Sequence, residues 1–168
     1  KKEHVNYPLG VINELKKGQF VFKEHDRAFK LYKLKEGLLM MGSSLVKGKT
    51  SFTHFVQQGE FFGEEVLLNL DQRKNSAQVL SDTVQIEEYS VSLLTDNYIT
   101  KNIVRDNYLL HTARIQQTLL RNTGLNLRDR LLAVLKEVGE AVGCVLMNKE
   151  VLIRTHLKHR ELAFLCNA

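Results

Sequence analysis

The segment of residues 59–69 brings together the kinds of group that bind phosphates and sugars. It reads GEFFGEEVLLN, with two glycines and three carboxylates set among large apolar side chains. A glycine such as Gly63 allows a ligand to approach the backbone closely, and the N–H groups beside it can cradle a phosphate. A carboxylate such as Glu64 can accept a hydrogen bond from a sugar hydroxyl. The segment therefore predicts a small phosphosugar pocket; the alternative is a polar turn with inward-packed phenylalanines.

The other chemically active residues do not fall into a catalytic or metal-binding motif. The sequence has no G-x-S-x-G, HExxH or P-loop signature, and His54 stands alone where a metal-dependent cupin needs clustered histidines. Cys144 and Cys166 are far apart, which argues against a zinc site, an iron–sulfur cluster or a disulfide framework. The remaining histidine candidates for a haem or a metal are His25, His111, His156 and His159. We expect no catalytic residue and no bound metal.

Composition sets further bounds on the class of protein. The chain has 168 residues, 43% hydrophobic and 26% charged, which suits one or two globular domains. We find no apolar run that could span a bilayer and no signal-peptide core, and the two cysteines favour a reducing cytoplasm. The net charge of +5 and the pI of about 9.2 indicate a mild preference for polyanions. The basic residues gather towards the C-terminus, whereas residues 60–71 are acidic.

The candidate pocket lies within a region that is predicted to form short antiparallel strands. Between about 18 and 90, β-rich runs alternate with turn-like clusters containing glycine, lysine, glutamate, glutamine or aspartate. The predicted strands include residues 29–34, 38–45, 51–56 and 84–87. Strands at this spacing indicate a small barrel or roll. We expect no helix of more than a few turns within that region. The exception is expected just before it, around residues 5–15.

The hydrophobic period then changes to that of helices. Residues 98–121 contain no glycine or proline, and their apolar side chains recur every three or four positions over roughly 35 Å. A second helix is predicted from Asn126, which can cap it, with Asp129 in its first turn. A hairpin over 145–153 and a third helical stretch over 159–166 follow. This order is typical of the start of a winged helix-turn-helix, so we expect a further helix, beyond this sequence, to enter the DNA groove.

These motifs together resemble a known family. GEFFGEEVLLN followed by KNSAQVL closely resembles the phosphate-binding cassette of cyclic-nucleotide-binding domains. The order of elements, which ends in RTHLKHRELAFLCNA, resembles the Crp/Fnr family of bacterial transcription regulators over nearly the whole chain. The resemblance implies an α+β fold. Its parts would be an N-terminal antiparallel β-roll (1–97), a dimerisation helix (98–122) and an incomplete winged-helix DNA-binding domain (125–168).

The resemblance also assigns roles to residues of the cassette. Gly63 and Glu64 fall where backbone N–H groups meet the cyclic phosphate and a carboxylate holds the ribose 2′-hydroxyl. Ser76 and Ala77 fall where a hydroxyl and a backbone amide complete the phosphate site, and Asn75 stands in place of the phosphate-pairing arginine. Gln116 lies in the part of the long helix that meets a purine, together with Ile115 and Thr118. The candidate effector site is Phe62, Gly63, Glu64, Arg73, Asn75, Ser76, Ala77 and Gln116.

The residue at position 75 lowers the expectation that a cyclic nucleotide is the cofactor. A charge-assisted arginine–phosphate contact is worth roughly 1.5–3 kcal/mol, or about ten- to a hundredfold in affinity. Arg73 or Lys74 is a candidate replacement, while Glu65 adds negative charge where an anion would bind. We therefore do not expect tight binding of cyclic AMP. An empty or closed roll and a different small metabolite remain open.

The resemblance implies a homodimer that binds DNA. In the family two long helices pair about a dyad, and the corresponding interface here is Ile103, Leu110, Ile115 and Leu119. The alternative is a helix that packs only on its own roll. A dimer would place two recognition elements about 34 Å apart on a palindromic operator. Lys158 and Arg160 would contact DNA phosphates, or else are ordinary solvated charges.

The sequence therefore predicts a DNA-binding transcription regulator of the Crp/Fnr type, controlled allosterically through the roll. Its expected partners are DNA, a second copy of the chain and RNA polymerase, with no membrane partner. The alternative is a cyclic-nucleotide-binding module that acts on a protein partner rather than on DNA. An enzyme on a β-roll is not expected, because the catalytic motifs are missing.

Overall fold

The fold begins with an antiparallel roll, as the sequence predicts. A computed structural model of the chain describes residues 10–45, 49–68, 70–90, 98–146, 148 and 150–168, without the side chains of 98–101, 103 and 104. The strands are β1 (Val11–Lys16), β2 (Phe20–Phe22), β3 (Lys30–Glu36), β4 (Leu39–Ser44), β5 (Thr50–Val56), β6 (Phe61–Phe62), β7 (Ser76–Val79) and β8 (Thr83–Ser90). They form two antiparallel four-stranded sheets, ordered β1-β8-β3-β6 and β2-β7-β4-β5.

Side-chain alternation explains how the roll encloses its core. In β8, Val84 and Ile86 are buried while Thr83 and Gln85 face solvent, the period of two expected of a strand with one wet face. The core between the sheets is Phe22, Tyr32, Leu34, Leu39, Met41, Val56, Phe62, Ala77, Val79, Val84 and Ile86. The strands predicted at 29–34, 38–45, 51–56 and 84–87 are therefore confirmed.

The prediction of a helix around residues 5–15 is wrong for the part of that segment that the structure describes. Residues 11–16 form strand β1, and residues 5–9 lie outside the described part of the chain. β1 pairs with β8 in antiparallel register from Val11 opposite Glu88 to Lys16 opposite Thr83. The hydrogen bonds that make this segment a strand come from residues about 70 positions away, so local periodicity could not reveal them.

The second half of the chain consists of three helices and a small hairpin. These elements are α1 (Tyr98–Gly124), α2 (Leu127–Val142), β9 (Gly143–Val145), β10 (Val151–Ile153) and α3 (His159–Leu165). Asn126 caps α2 as predicted, because its side chain accepts a hydrogen bond from the backbone N–H of Asp129 at 3.0 Å. Helix α1 packs on the roll at β5 and β6. The overall α+β architecture, an antiparallel roll followed by helices, agrees with the sequence prediction.

The C-terminal unit, defined as α2, β9, β10 and α3, packs against the outer face of the β2-β7-β4-β5 sheet. Alternate residues of β4 face in opposite directions, so that Met41 lies in the core of the roll and Met40 lies outside it. A second apolar cluster joins the roll to this unit: Leu38, Met40, Phe52, Phe55, Leu80, Val134, Val138, Leu165 and Cys166. In the described part of the chain, no helix is both long and apolar enough to cross a membrane.

The turn between β3 and β4 requires a glycine for two reasons: its backbone is left-handed, and it lies close to a neighbouring carbonyl oxygen. A pair of substitutions can measure the second effect separately from the first. Gly37 has a φ of +94°, and a Cβ there would lie 2.6 Å from the carbonyl oxygen of Thr83. Gly18 has a φ of +84°, but a Cβ there would meet nothing within 4 Å. Both alanine variants incur the left-handed backbone cost of about 1–2 kcal/mol, and only one adds a clash.

We therefore expect Gly37→Ala to lower the free energy of unfolding by about 1–3 kcal/mol more than Gly18→Ala does. Urea denaturation of the two variants and of the unchanged protein measures this difference. Equal losses in the two variants would show that the contact with Thr83 relaxes at no cost.

Candidate functional site

A cavity of about 310 Å³ lies between the roll and helix α1. The cassette contributes Gly63 and Glu64, and β5 contributes His54. Helix α1 contributes Tyr108, His111, Thr112 and Ile115, which share one face because they are spaced i, i+3, i+4 and i+7. A volume of this size is at the lower end of the range for small-molecule sites. The cavity is therefore the candidate effector site.

Gly63 is needed in the cassette because its backbone approaches a buried side chain. It follows β6, has a φ of +78° and precedes a short 3₁₀ helix, Glu64–Leu68. A Cβ at this position would lie 2.7 Å from Nη1 of Arg73 and 3.1 Å from Cδ2 of Tyr32. The glycine predicted to admit a ligand thus also admits the guanidinium of Arg73.

Arg73 lies inside the roll and does not reach the cavity. Its side chain is only 1% exposed. Nη1 donates to the carbonyl oxygen of Gly63 at 2.8 Å and to Oε2 of Glu65 at 3.1 Å. Nη2 donates to the carbonyl oxygen of Lys30 at 2.6 Å, and the guanidinium lies 4.3 Å from the ring centroid of Phe22. Because these contacts occupy both terminal nitrogens, the prediction of Arg73 as an effector-binding residue is corrected.

The same contacts change the role expected of Glu65. Its Oε2 pairs with Arg73, and its Oε1 accepts a hydrogen bond from the backbone N–H of Lys74 at 3.2 Å. The negative charge of Glu65 is therefore compensated by a buried arginine. Glu65 lines the cavity together with Lys74 and Asn75, and Lys74 supplies a cation there.

Three other predicted site residues point away from the cavity. The hydroxyl of Ser76 accepts a hydrogen bond from the backbone N–H of Glu24 at 2.9 Å and faces the outer side of the sheet. Ala77 is fully buried in the core of the roll, because successive side chains of β7 alternate between faces. Phe62 is also fully buried, 5.3 Å from the ring of Tyr32. These placements correct the assignment of the Phe62 and Ser76 side chains to an effector, whereas the backbone amide predicted for Ala77 stays a prediction.

Of the residues of α1 predicted to meet a purine, Ile115 lines the cavity. Gln116 is exposed and lies off the cavity, whereas Thr112 and Ile115 line it. Sequence reasoning missed Tyr108, His111 and Thr112 as site residues. Their spacing from Ile115 was a usable signal, because residues three, four and seven positions before it must lie on the same face of a helix.

A buried ionic cluster fixes α1 to the cassette. Arg114 donates two hydrogen bonds to the carboxylate of Glu60, both at 2.8 Å. His111 lies 3.4 Å from Oε2 of Glu60 through Nε2 and 3.4 Å from Oε1 of Glu64 through Nδ1. Burial raises the pKa of Glu60, but hydrogen bonds from His111 and Arg114 outweigh burial and lower it to about 2. Glu60 is therefore ionised in the folded protein.

The pKa values of two neighbouring histidines in this region shift in opposite directions. Burial lowers the pKa of His111, but its contacts with Glu60 and Glu64 outweigh burial and raise it above 6.5. His54 lies 4.8 Å away between ring centroids, and burial, followed by the charges of His111 and Arg114, lowers its pKa to about 3. His54 is therefore neutral at ordinary pH.

The neutral imidazole of His54 presents an unmet hydrogen-bonding group in the wall of the cavity. Its Nδ1 lies 3.2 Å from the hydroxyl of Thr53, while its buried Nε2 has no hydrogen-bond partner in the described part of the chain. A buried polar atom without a partner costs free energy. Among the described residues, no group of three or more His, Cys, Asp or Glu is arranged to hold a metal.

Helix α1 also carries several exposed apolar side chains. Of the residues predicted for a dimer interface, Leu110, Ile115 and Leu119 are exposed, and the side chain of Ile103 lies outside the described residues. Sequence reasoning did not single out Leu120, although it is 70% exposed. Leu109 and Leu120 extend this apolar surface along the helix.

The predicted DNA contacts lie at the start of α3. Lys158 and Arg160 are both exposed, and the backbone N–H of Lys158 donates to Oε2 of Glu161 at 2.8 Å. Glu161 thus caps the helix from its own first turn.

Comparisons with known proteins agree with this architecture. Residues 12–87 match the model of the cyclic nucleotide-binding domain. A CRP-family transcriptional regulator from Thermus thermophilus superposes with a TM-score of 0.79 at 18% identity, over 93% of this chain and 77% of that chain. The c-di-GMP-responsive global regulator CLP of Xanthomonas campestris gives 0.77 at 16% identity, over 95% and 80%. A CRP/FNR-family regulator, also from Thermus thermophilus, gives 0.69 at 22% identity, over 94% and 79%.

These comparisons define the fold of the protein. Residues 12–87 match the model of the cyclic nucleotide-binding domain, and the chain as a whole has the fold of the solved Crp/Fnr regulators. No curated protein sequence matches the chain significantly.

The contacts of Arg73 predict a structural role that mutagenesis can measure. Arg73→Ala leaves the carboxylate of Glu65 and two carbonyl oxygens buried without their donor. We expect a loss of about 3–5 kcal/mol in the free energy of unfolding, measured by urea denaturation. Arg105→Ala is the matched control, because Arg105 pairs with Asp106 in solvent and should contribute less than about 0.5 kcal/mol. Similar small losses in both variants would contradict the buried network.

His54 and His111 predict opposite effects of pH on stability. The folded pKa of His54 is about 3 and its ordinary value is 6.5, so the unfolded chain gains a proton first as the pH falls. This proton uptake destabilises the folded protein below pH 6.5. His54→Gln removes this proton uptake by the unfolded chain. We therefore expect the variant to lose less stability than the unchanged protein as the pH falls from about 6.5 to 4.

The folded pKa of His111 lies above 6.5, so its stabilising effect is fully present below that pH and is lost as the pH rises through the folded value. The stability difference between the unchanged protein and His111→Gln should therefore be largest in the acidic range and shrink towards alkaline pH. Urea denaturation across that range measures both variants. Parallel pH profiles for the two variants would contradict the opposite shifts.

Proposed function

We propose that this protein is a DNA-binding transcription regulator of the Crp/Fnr type, controlled through the cavity between the roll and α1. The observation that carries the proposal is the position of α1. It closes the cavity with His111 and Thr112, and it also carries exposed leucines such as Leu110 and Leu119. One rigid element thus contacts both a candidate effector and a candidate second copy of the chain.

The exposed leucines support a homodimer formed through α1, with Ile103, Leu110, Ile115 and Leu119 at the interface. Exposed apolar side chains lose unfavourable contact with water when a second helix covers them. The contacts of Glu60 with His111 and Arg114 tie α1 to the cassette. An effector that changes the cassette would therefore shift the helix pairing, which is the coupling that allosteric control requires.

The cavity supports an effector that does not depend on an arginine–phosphate pair. Arg73 is held in the roll, and Asn75 offers only an amide where the family has the arginine. The polar residues that line the cavity include Glu64, Lys74, Asn75, His111 and Thr112. We infer a small effector that carries hydroxyl or amide groups, with cyclic AMP bound weakly because the charge-assisted contact of roughly 1.5–3 kcal/mol is lost.

The C-terminal unit supports DNA as the partner. Its helix, hairpin and helix follow the order of a winged helix, with Lys158 and Arg160 exposed at the start of α3. We infer that these cations contact phosphates, so affinity for DNA should fall steeply with salt. In a dimer the two units would read a palindromic operator with half-sites about 34 Å apart.

A second candidate function is a cyclic-nucleotide-binding module that acts on a protein partner. The match to the family model covers only residues 12–87, which is the roll without the C-terminal unit. This candidate predicts no affinity for duplex DNA, so the experiment below separates the two.

The test measures both the oligomeric state and the DNA binding of the complete protein. Leu119 is 62% exposed on α1, and Leu45 is 52% exposed on the roll, so Leu45→Glu is a matched control for Leu119→Glu. We expect the unchanged protein and Leu45→Glu to sediment as dimers and Leu119→Glu as a monomer. Duplexes selected from a random pool should bind Leu119→Glu at least about tenfold more weakly, because one half-site contact is lost.

A monomeric unchanged protein would refute the dimer. Failure to retain any duplex, even at low salt, would refute DNA binding and favour the module that acts on a protein.

A further inference from the structure

A second and larger cleft, of about 560 Å³, lies between the C-terminal unit and the roll. Its floor is the outer face of the β2-β7-β4-β5 sheet, including Met40 and Gly42, and its wall is α3, including Arg160 and Phe164. The cavity described above opens on the other face of the same sheet, where Met41 lies. The two sites are therefore separate, and the cleft has the volume typical of a small-molecule site at a boundary between structural units.

The cleft carries an excess of positive charge. Lys23 and Arg160 both line it, and neither forms an ion pair with a carboxylate in the described part of the chain. The carboxylate that lines the cleft, Glu161, is already engaged: its Oε2 lies 3.3 Å from Nζ of Lys17 and accepts the backbone N–H of Lys158. Two cations beside a neutralised carboxylate favour an anionic ligand.

Two aromatic side chains line the cleft. Phe20 is 40% exposed, with the ammonium of Lys23 5.1 Å from its ring centroid. Phe164 packs edge-on against Phe52, with 6.1 Å between ring centroids. Gly42 lets the Phe164 ring lie close to the sheet, because a Cβ there would lie 2.7 Å from Cζ of Phe164. Aromatic walls of this kind bind rings by offset or edge-to-face contacts.

We propose that this cleft binds a small molecule that joins an anionic group to an aromatic ring. Lys23 and Arg160 hold the anion, and Phe20 and Phe164 contact the ring. Such a ligand bridges the roll and α3, so it fixes the position of the C-terminal unit. The proposal does not depend on the function of the cavity at α1 or on DNA binding.

Titration calorimetry of the complete protein with phenyl phosphate tests the proposal, with inorganic phosphate and phenol as the two half-probes. We expect phenyl phosphate to bind once per chain, at least about tenfold more tightly than either half-probe, because only the whole molecule uses both the cations and the rings. Binding no tighter than that of inorganic phosphate would overturn the proposal.

Single substitutions locate the binding. Arg160→Gln and Lys23→Gln should each weaken phenyl phosphate about tenfold, the effect of losing one charge-assisted contact. Lys136→Gln, on the exposed side of α2, should leave the affinity unchanged. Lys74→Gln tests the other cavity: a loss of affinity there, with Arg160→Gln unaffected, would place the probe at α1 and overturn the proposal. All four positions are at the surface, and thermal unfolding checks that each variant is folded.

Discussion

The buried guanidinium of Arg73 organises the cassette on which the candidate site depends. It joins the backbone of β3 at Lys30, the turn at Gly63 and the carboxylate of Glu65 on the 3₁₀ helix. A charge is tolerated in the interior only where paired groups and hydrogen bonds replace its hydration. The position of Glu64 at the cavity follows, because the residues on either side of it are held by Arg73.

The hydrogen bonds and ion pairs of Glu60 attach helix α1 to the cassette. Its two hydrogen bonds from Arg114, and the contacts of His111 with Glu60 and Glu64, place one helix face against the roll. Farther along the same helix, Leu119 and Leu120 are exposed. The helix therefore both closes the cavity and presents apolar side chains to solvent.

Several elements could be predicted from the sequence because their causes are local. The alternation of Val84 and Ile86 with polar residues marks β8, and Asn126 with Asp129 marks the start of α2. The fold class and the order of elements follow from such signals. The segment 11–16 shows the limit: it became β1 because β8 offers an edge to pair with, and that partner is distant in the chain.

The sequence by itself determined where the cassette, the long helix and the C-terminal unit lie, since turns, caps and periodicity act between near neighbours. Only the tertiary structure decided where the site's side chains point. Arg73 turned inward because Glu65 and two carbonyl oxygens converge on it, and Ser76 turned outward because β7 alternates about Ala77. The packing of α3 beside β4 and β5 was decided in the same way, because it depends on a shared apolar cluster that distant segments form only after folding.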